Sequence, residues 1–522
     1  MAWRGEKATL LTGAALVLGL ATPAEADTLR EALRQVYENN PTILAARAQQ
    51  RAVDENVPIQ RAEGRPGVNA TGQLTEFLIR DNNQVSGAGG GGDGDGEEPV
   101  VVGQPARALN TGISLSVPLY SGGAVRNSVR AAEQRVQAGR ADLRGTESVL
   151  FTQAVSTYMN VLRDEAVVGL AQNQVDVLTT NLQASRDRFE IGILTRTDVA
   201  QSEARLALAV SDLRSAQANL INSREDYIAI IGEAPTELQA PPPIGGLPSS
   251  AEQAVAIALD NNPDLIAARE RAEASEIDIR VAGAGRLPQV SVITGYTYQN
   301  FLGSLGGGTG LALPQSTDGF QAGLQLSLPL FQGGRPAALE RQAQARASAA
   351  LEQVVEAERS IIAQARSAYA SYRAALAIIE ASEEAVAAAA LSLEGVRAEN
   401  TVGNRTVLDI LDAERELLNA RVQLVTAQRN AYVAGFSLLA AMGRAEARDL
   451  DLDDSGPLYD PAGNYDRVRN IWFDWSRDPN PTTEATRTVD VPPADASVRP
   501  FGPLDSGEAE VDEVGGLRES GL

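Results

Sequence analysis

The 522-residue chain contains no histidine and no cysteine. The first absence excludes a Ser-His-Asp triad, a histidine general base and histidine-ligated zinc. The second excludes disulfides, a thiol nucleophile and an iron–sulfur cluster, and it leaves the redox compartment unmarked. Positive charge is also short. Against 68 Asp and Glu stand 45 Lys and Arg, a formal net charge of −23 with a pI near 4.6. So acidic a chain repels phosphate backbones, and nucleic acid is not an expected partner. Aromatic residues make up only 4% of the chain, while Ala, Leu, Gln, Arg and Glu dominate its middle. That balance favours long helices over an all-β core. No clustered catalytic motif is present, so neither an enzyme nor a cofactor or metal centre is expected.

Long apolar runs are missing too. Arg4 and Lys7 precede the run Ala8 to Leu20, and Ala24-Glu25-Ala26 fits a small-x-small cleavage site. The run is too short to span a bilayer, so residues 1–26 read as a signal peptide removed after Ala26. No later run reaches the length of a transmembrane helix. The mature protein is therefore expected to be periplasmic, secreted, or threaded through an outer membrane by strands.

The chain is written twice. ENNPTILAARAQ at Glu38 returns as DNNPDLIAARER at Asp260, and VPLYSGG at Val117 returns as LPLFQGG at Leu328. Gly192 to Gly232 aligns with Gly403 to Gly443 at a constant offset of 211, with 12 of 41 positions identical. The period is too long for a solenoid, so this is a duplication, with repeats at 27–231 and 250–443. A Pro-rich connector, 232–249, joins them.

Each half repeats one order. A helical segment comes first, over about 28–63 and 250–284, with Leu29, Leu33 and Val36, then Val255, Ala258 and Leu259, at helical spacing. Two alternating stretches follow, at 68–80 and 108–118 and again at 289–300 and 319–329. Phe320, Ala322, Leu324, Leu326 and Leu328 alternate with Gln321, Gly323, Gln325 and Ser327. Their length suits a transmembrane strand, although alternation alone fits a half-buried soluble strand equally well. Pro118 with Gly122 and Gly123, and Pro329 with Gly333 and Gly334, are read as the junctions that close the strand regions. The Gly-rich loops 81–107 and 300–318 carry no phosphate-loop Lys, and Asp93, Asp95, Glu97 and Glu98 lack EF-hand spacing, so both read as flexible external loops.

The longest helical stretches come next, near 124–191 and 335–401, unbroken by proline in their interiors and each roughly 100 Å long. Turns at Gly192 and Gly403 lead into return helices of about 35 residues. Helices of that length belong to paired rods. Four strands cannot close a membrane barrel, so a membrane reading requires an oligomer. From about 444 the helical pattern fades. Residues 449–522 hold 17 acids and 6 bases and read as an acidic tail, disordered after about 478, with Trp472, Phe473 and Trp475 packed locally.

This layout resembles the TolC family of outer-membrane efflux ducts. The duplicated order, the (E/D)NNP segments, the VPLYSGG and LPLFQGG junctions and the turn GNRTVLDILDAERELLNAR (Gly403 to Arg421) carry the resemblance over about residues 27–450. It implies a mainly α protein with a transmembrane β-barrel: a homotrimer whose twelve strands form one outer-membrane barrel continuous with a long α-helical barrel across the periplasm. The connector and the post-444 segment would form an equatorial belt. The implied partners are outer-membrane lipid, a periplasmic adaptor and an inner-membrane ABC or RND transporter. The implied work is passive export of small molecules or proteins, by tripartite efflux or type I secretion.

The helix-to-helix turns are the candidate site. Thr195 with Asp198, and Thr406 with Asp409, stand at capping-box-like spacing, which alone would account for both acids. Asp412 is not so explained. It shares a helix face with Asp409, and in a trimer the two would place six carboxylates around one axis, a ring able to select cations or hold a divalent ion. The resemblance assigns the periplasmic gate to Asp198, Arg405, Asp409 and Asp412. Asn400 stands where the family would place a tyrosine. The rival reading is a periplasmic coiled-coil adaptor without a barrel.

Overall fold

A computed structural model describes residues 28–78, 105–305 and 314–498. The stretch read as a signal peptide, most of the stretch read as loop 81–107, the centre of that read as loop 300–318 and the end of the tail lie outside the described residues.

The first helical segment is not continuous. It breaks into α1 (Leu29–Asn39), α2 (Pro41–Asp54) and α3 (Asn56–Ala62). The break at Asn40 follows from Pro41, which holds the preceding residue extended (φ −69°, ψ 128°) and then starts α2. The Asn40 side chain fills both gaps that the break leaves. Its Oδ1 accepts the Thr42 N–H (2.8 Å), and its Nδ2 donates to the Ile230 carbonyl (2.8 Å). The second copy repeats this between α6 (Ala251–Asn261) and α7 (Pro263–Gly283). There Asn262 accepts from Asp264 N–H (3.0 Å) and donates to the Ala441 carbonyl (3.1 Å). The NNP motif thus caps one helix while satisfying an end carbonyl of another.

The strands are β1 (Gly67–Glu76), β2 (Arg107–Ser121), β3 (Gln289–Asn300) and β4 (Ser316–Ser327), in the antiparallel order β1-β2-β3-β4. Three boundaries differ from the alternation. β1 ends at Glu76 rather than 80. β2 runs through Pro118 to Ser121, because a bulge between Pro118 and Tyr120 absorbs the residue that cannot donate to the ladder. Pro118 therefore sits inside the strand and does not close it. β4 starts at Ser316, where pairing with Asn300 begins, and leaves Pro329 outside the sheet.

The register sorts the two faces. Ala70, Ile113, Tyr296 and Phe320 lie opposite one another in a row, and so do Val117, Val292 and Leu324. The opposite face holds rows such as Asn69, Ser114, Gly295 and Gln321. Among the described residues no helix covers the apolar face, and Val68, Ile113, Phe320, Leu324 and Leu326 are exposed on it. A soluble sheet would bury such a face.

The helices α4 (Ala124–Glu190) and α8 (Arg335–Thr401) have 67 residues each, and α5 (Arg196–Ile231) and α9 (Val407–Ala441) return from them. Gly122 and Gly123 (φ +64° and +81°), like Gly333 and Gly334 (φ +59° and +84°), make the left-handed turn from strand to helix. A Cβ on Gly122 would lie 2.8 Å from Leu287 Cβ and 2.9 Å from the Ala284 carbonyl oxygen, so the backbone passes too close there for any other residue.

The principal core lies at mid-length, where Leu33, Val36, Phe151, Tyr158, Leu220, Tyr227, Leu438 and Met442 pack together. Tyr158 donates to the Gln239 carbonyl (2.7 Å), and its copy Tyr369 donates to that of Ser249 (2.8 Å), so the connector is tied to both long helices. The tail is ordered well beyond 478. Arg224 binds the Asp495 carbonyl (2.8 Å) and carboxylate (3.0 Å) and the Ser497 carbonyl (3.0 Å), and Val498 packs on the core. Trp472, Phe473 and Trp475 are not packed locally; all three are exposed.

Candidate functional site

The two turns are built alike. At Gly192 (φ +76°) and Gly403 (φ +83°) the backbone reverses through the left-handed region, and no described atom would stand within 4 Å of a Cβ at either. Thr195 then caps α5. Asp198 Oδ2 accepts the Thr195 N–H (2.9 Å) and hydroxyl (2.7 Å), and Asp198 N–H donates to Thr195 Oγ1 (3.3 Å). At the second turn Asp409 Oδ2 accepts the Thr406 N–H (2.8 Å) and hydroxyl (2.7 Å), and Asp409 N–H donates back (3.3 Å). These bonds favour the charged form. They hold both acids below the usual carboxylate range, with Arg405 adding to the effect on Asp409. The stabilisation is present above the unfolded carboxylate pKa and is lost as pH falls through the depressed value.

The cations sit differently from the sequence expectation. Arg405 turns back onto its own hairpin, where Nε donates to Glu399 (2.7 Å). Asn400 Nδ2 donates to the Arg405 carbonyl (2.8 Å), so the residue at the tyrosine position also serves the turn. The tie between hairpins uses other residues. Arg205 on α5 donates to Asp412 on α9 (2.7 Å), and Arg415 stands 4.0 Å from the same oxygen. Asp412 is therefore partly neutralised within one chain. Among the described residues no acidic cluster of one chain could hold a metal ion.

Further along the helices a carboxylate is buried. Glu414 on α9 accepts from Asn181 on α4 (3.0 and 3.1 Å) and from Arg397 on α8 (3.1 Å), so three helices meet on one side chain. Glu203 is its copy at the offset of 211, and it pairs with Arg186 (2.7 Å), itself the copy of Arg397. Neither Glu414 nor Arg205 stands out by local spacing. The duplication marks the Arg-Glu pairs, because both members recur 17 residues apart in each half.

The chain is similar to several known outer-membrane proteins. It is 29% identical to the outer membrane efflux protein BepC of Brucella suis over 470 residues, covering 89% of this chain and 95% of that one. It is 26% identical to the outer membrane protein TolC of Vibrio cholerae, covering 83% and 94%. Among solved structures, the CmeC outer membrane channel of Campylobacter jejuni superposes with a TM-score of 0.65 at 14% identity, covering 85% of this chain and 89% of that one. The first two relatives are outer-membrane proteins, which sets the adaptor reading aside. Residues 32–233 and 254–444 match the outer membrane efflux protein family, and the chain belongs to that family.

Proposed function

We propose that three copies of this chain form an outer-membrane exit duct for tripartite efflux or type I secretion. The sheet carries this reading. It has four strands, two unpaired edges at β1 and β4, one polar face, and one apolar face that no described helix covers. Edge pairing between copies would close twelve strands into a barrel, with the apolar face in lipid and the polar face lining the bore. The long helices would continue the bore across the periplasm, toward an adaptor and an inner-membrane ABC or RND transporter. No step of chemistry is involved.

The periplasmic tip is the gate of this reading. Asp198 and Asp409 hold the turns, Asp412 ties α9 to α5 through Arg205, and Arg405 at the apex braces its own hairpin through Glu399. Asp409 and Asp412 together would give the closed tip its cation preference.

The protomer count of protein extracted from isolated outer membrane, by detergent-corrected light scattering, tests the assembly. Three is the expected answer, and soluble protein in the periplasmic fraction would overturn it. Replacing Asp409 and Asp412 with Ala should reduce single-channel cation preference, and unchanged selectivity would remove the ring.

A further inference from the structure

The tail makes an excursion that the rest of the fold does not require. It leaves the mid-length core after Tyr459 and returns there at Val498. Between these points it climbs along the first helices. Asn464 donates to Asp54 (2.9 Å), and Tyr465 packs with Val57, Ala132 and Val136. Arg61 then donates to the Arg469 carbonyl (3.0 Å), and Arg65 to that of Ile471 (2.5 Å). The partners at 57 and 61 are about one helical turn apart on α3, Asp54 ends the helix before it, and Arg65 follows just past the end of α3. Arg65 stands two residues before β1, so the climb ends where the sheet begins.

At the summit lies the sequence Ile-Trp-Phe-Asp-Trp. Trp472, Phe473 and Trp475 are 70%, 67% and 74% exposed. Only Trp3, in the leader, adds a third tryptophan to the chain. The Arg65 guanidinium lies 6.0 Å from the Trp472 ring centre and orients it at the strand end. Below the aromatics the loop is closed by a bidentate ion pair, in which Arg467 donates to both oxygens of Asp478 (2.9 Å each). The result is a short loop with a charged neck and an aromatic crest. Tyr120 and Phe331 are likewise exposed beside the same end of the sheet.

We infer that this crest inserts into the lipid interface of the leaflet that the strands enter, so that the tail adds tryptophans to the membrane's aromatic girdle. Tryptophan and phenylalanine favour the headgroup level, where an apolar ring and a polar edge are both satisfied. A crest continuous with the end of β1 stands at that level once the apolar face of the sheet is in lipid. Water is the poorer neighbour for three large aromatics held above an ion pair and a guanidinium contact. This inference rests on the barrel reading.

Intrinsic tryptophan fluorescence tests it, because Trp472 and Trp475 are the only tryptophans in a Trp3→Phe background. The full chain would be reconstituted in phosphatidylcholine vesicles with bromine placed high or deep on the acyl chains. Channel conductance would be recorded on the same vesicles. Loss of most of the tryptophan emission is expected with shallow bromine, less with deep bromine, and little with aqueous iodide. Trp472→Phe and Trp475→Phe apportion the signal. A conducting preparation quenched by iodide and not by bromine would overturn the inference and leave the duct standing. A conducting preparation quenched by neither would also overturn it, and would place the crest against a second copy. A chain that neither inserts nor conducts would overturn the duct reading, and this inference with it.

Discussion

The helices α4 and α8 have the same length, the same place in the repeat and the same junction glycines, yet α4 buries 22 residues and α8 only 7. The difference is one of neighbours. α4 lies among α2, α3, α5, α7 and α9, whereas α8 meets chiefly α6, α7 and α9. Polar ties follow the same rule. Arg429 on α9 reaches Asn160 (2.9 Å) and Ser156 (2.8 Å) on α4, and Arg135 and Asp142 of α4 pair with Asp278 and Arg271 of α7. Glu414 and Glu203 make the contrast sharpest. Each pairs with an Arg 17 residues earlier, but the side chain of Glu414 is 3% exposed and that of Glu203 is 50%. What covers Glu414 is Asn181 of α4. The copy of Asn181 is Ser392 on α8, and among the described residues no partner of that kind meets it. In the proposed trimer the duplication would set α5 of a second copy against α8, as α9 is set against α4.

A cross-link tests this seam directly, and a chain without cysteine gives a clean background. Ser392→Cys with Glu203→Cys should yield covalent oligomers up to a trimer on non-reducing gels. Asn181→Cys with Glu414→Cys, the equivalent pair inside one chain, should yield only monomer. Oligomers from the second pair, or none from the first, would mean that the two seams are not copies of each other.

How much of this was legible before the structure depended on the range of each signal. Junctions and turns are local, so Gly122, Gly333, Thr195 with Asp198 and Thr406 with Asp409 could be read from spacing. The break at Asn40 was equally local, but the apolar periodicity runs on across it and hid the cap. Strand ends depend on pairing: Pro118 looks like a terminator until β3 supplies a ladder with a bulge. The tail was least legible. Its holding contacts, such as Arg61 with Arg469 and Arg65 with Ile471, join residues more than 400 apart, and composition carries no record of them. At the tip, Arg205 and Asp412 are 207 apart, so spacing on one helix could nominate Asp412 but not its partner.

A smaller and more quantitative test uses two glutamates at one repeat position, Glu147 and Glu358. Glu147 is buried and accepts the Ala447 N–H. Burial pushes its carboxyl up to about 7, Glu446 adds to the rise, and the Ala447 bond, Arg47 and Arg448 oppose it. The folded chain thus binds more protons than the unfolded one between about 4.5 and 7, and stability falls as pH rises through that window. Glu147→Gln keeps the acceptor and removes the buried charge. Above pH 7 it should stabilise the protein by up to about 3.5 kcal/mol, since each tenfold change in proton affinity is worth about 1.4 kcal/mol, and below pH 4.5 it should change little. Glu358→Gln, on the less covered helix, should stay within about 0.5 kcal/mol at both. Thermal unfolding in detergent on either side of the window reads both effects. Equal changes for the two variants would erase the distinction between the copies.

The finest distinction lies at the tip. Within a chain, Arg205 and Asp412 join α5 to α9. At the equivalent seam between copies, the offset of 211 places Glu416 for Arg205 and Gln201 for Asp412, which offers no ion pair. A closed trimer would then have three tied seams alternating with three untied ones. The pair is only partly covered, so each tie contributes about 0.5–1 kcal/mol. Three acting together would bias closure by roughly ten- to a hundredfold. Arg205→Gln should raise open probability by that order in reconstituted channels, and most clearly at low salt, where an exposed pair is least screened. Asp412→Asn should do the same, and the double variant should add little to either, because both remove one interaction. Glu416→Gln has no tie to remove. If it opened the channel as far as Arg205→Gln does, the seams would be alike, and the asymmetry would belong to the isolated chain and not to the gate.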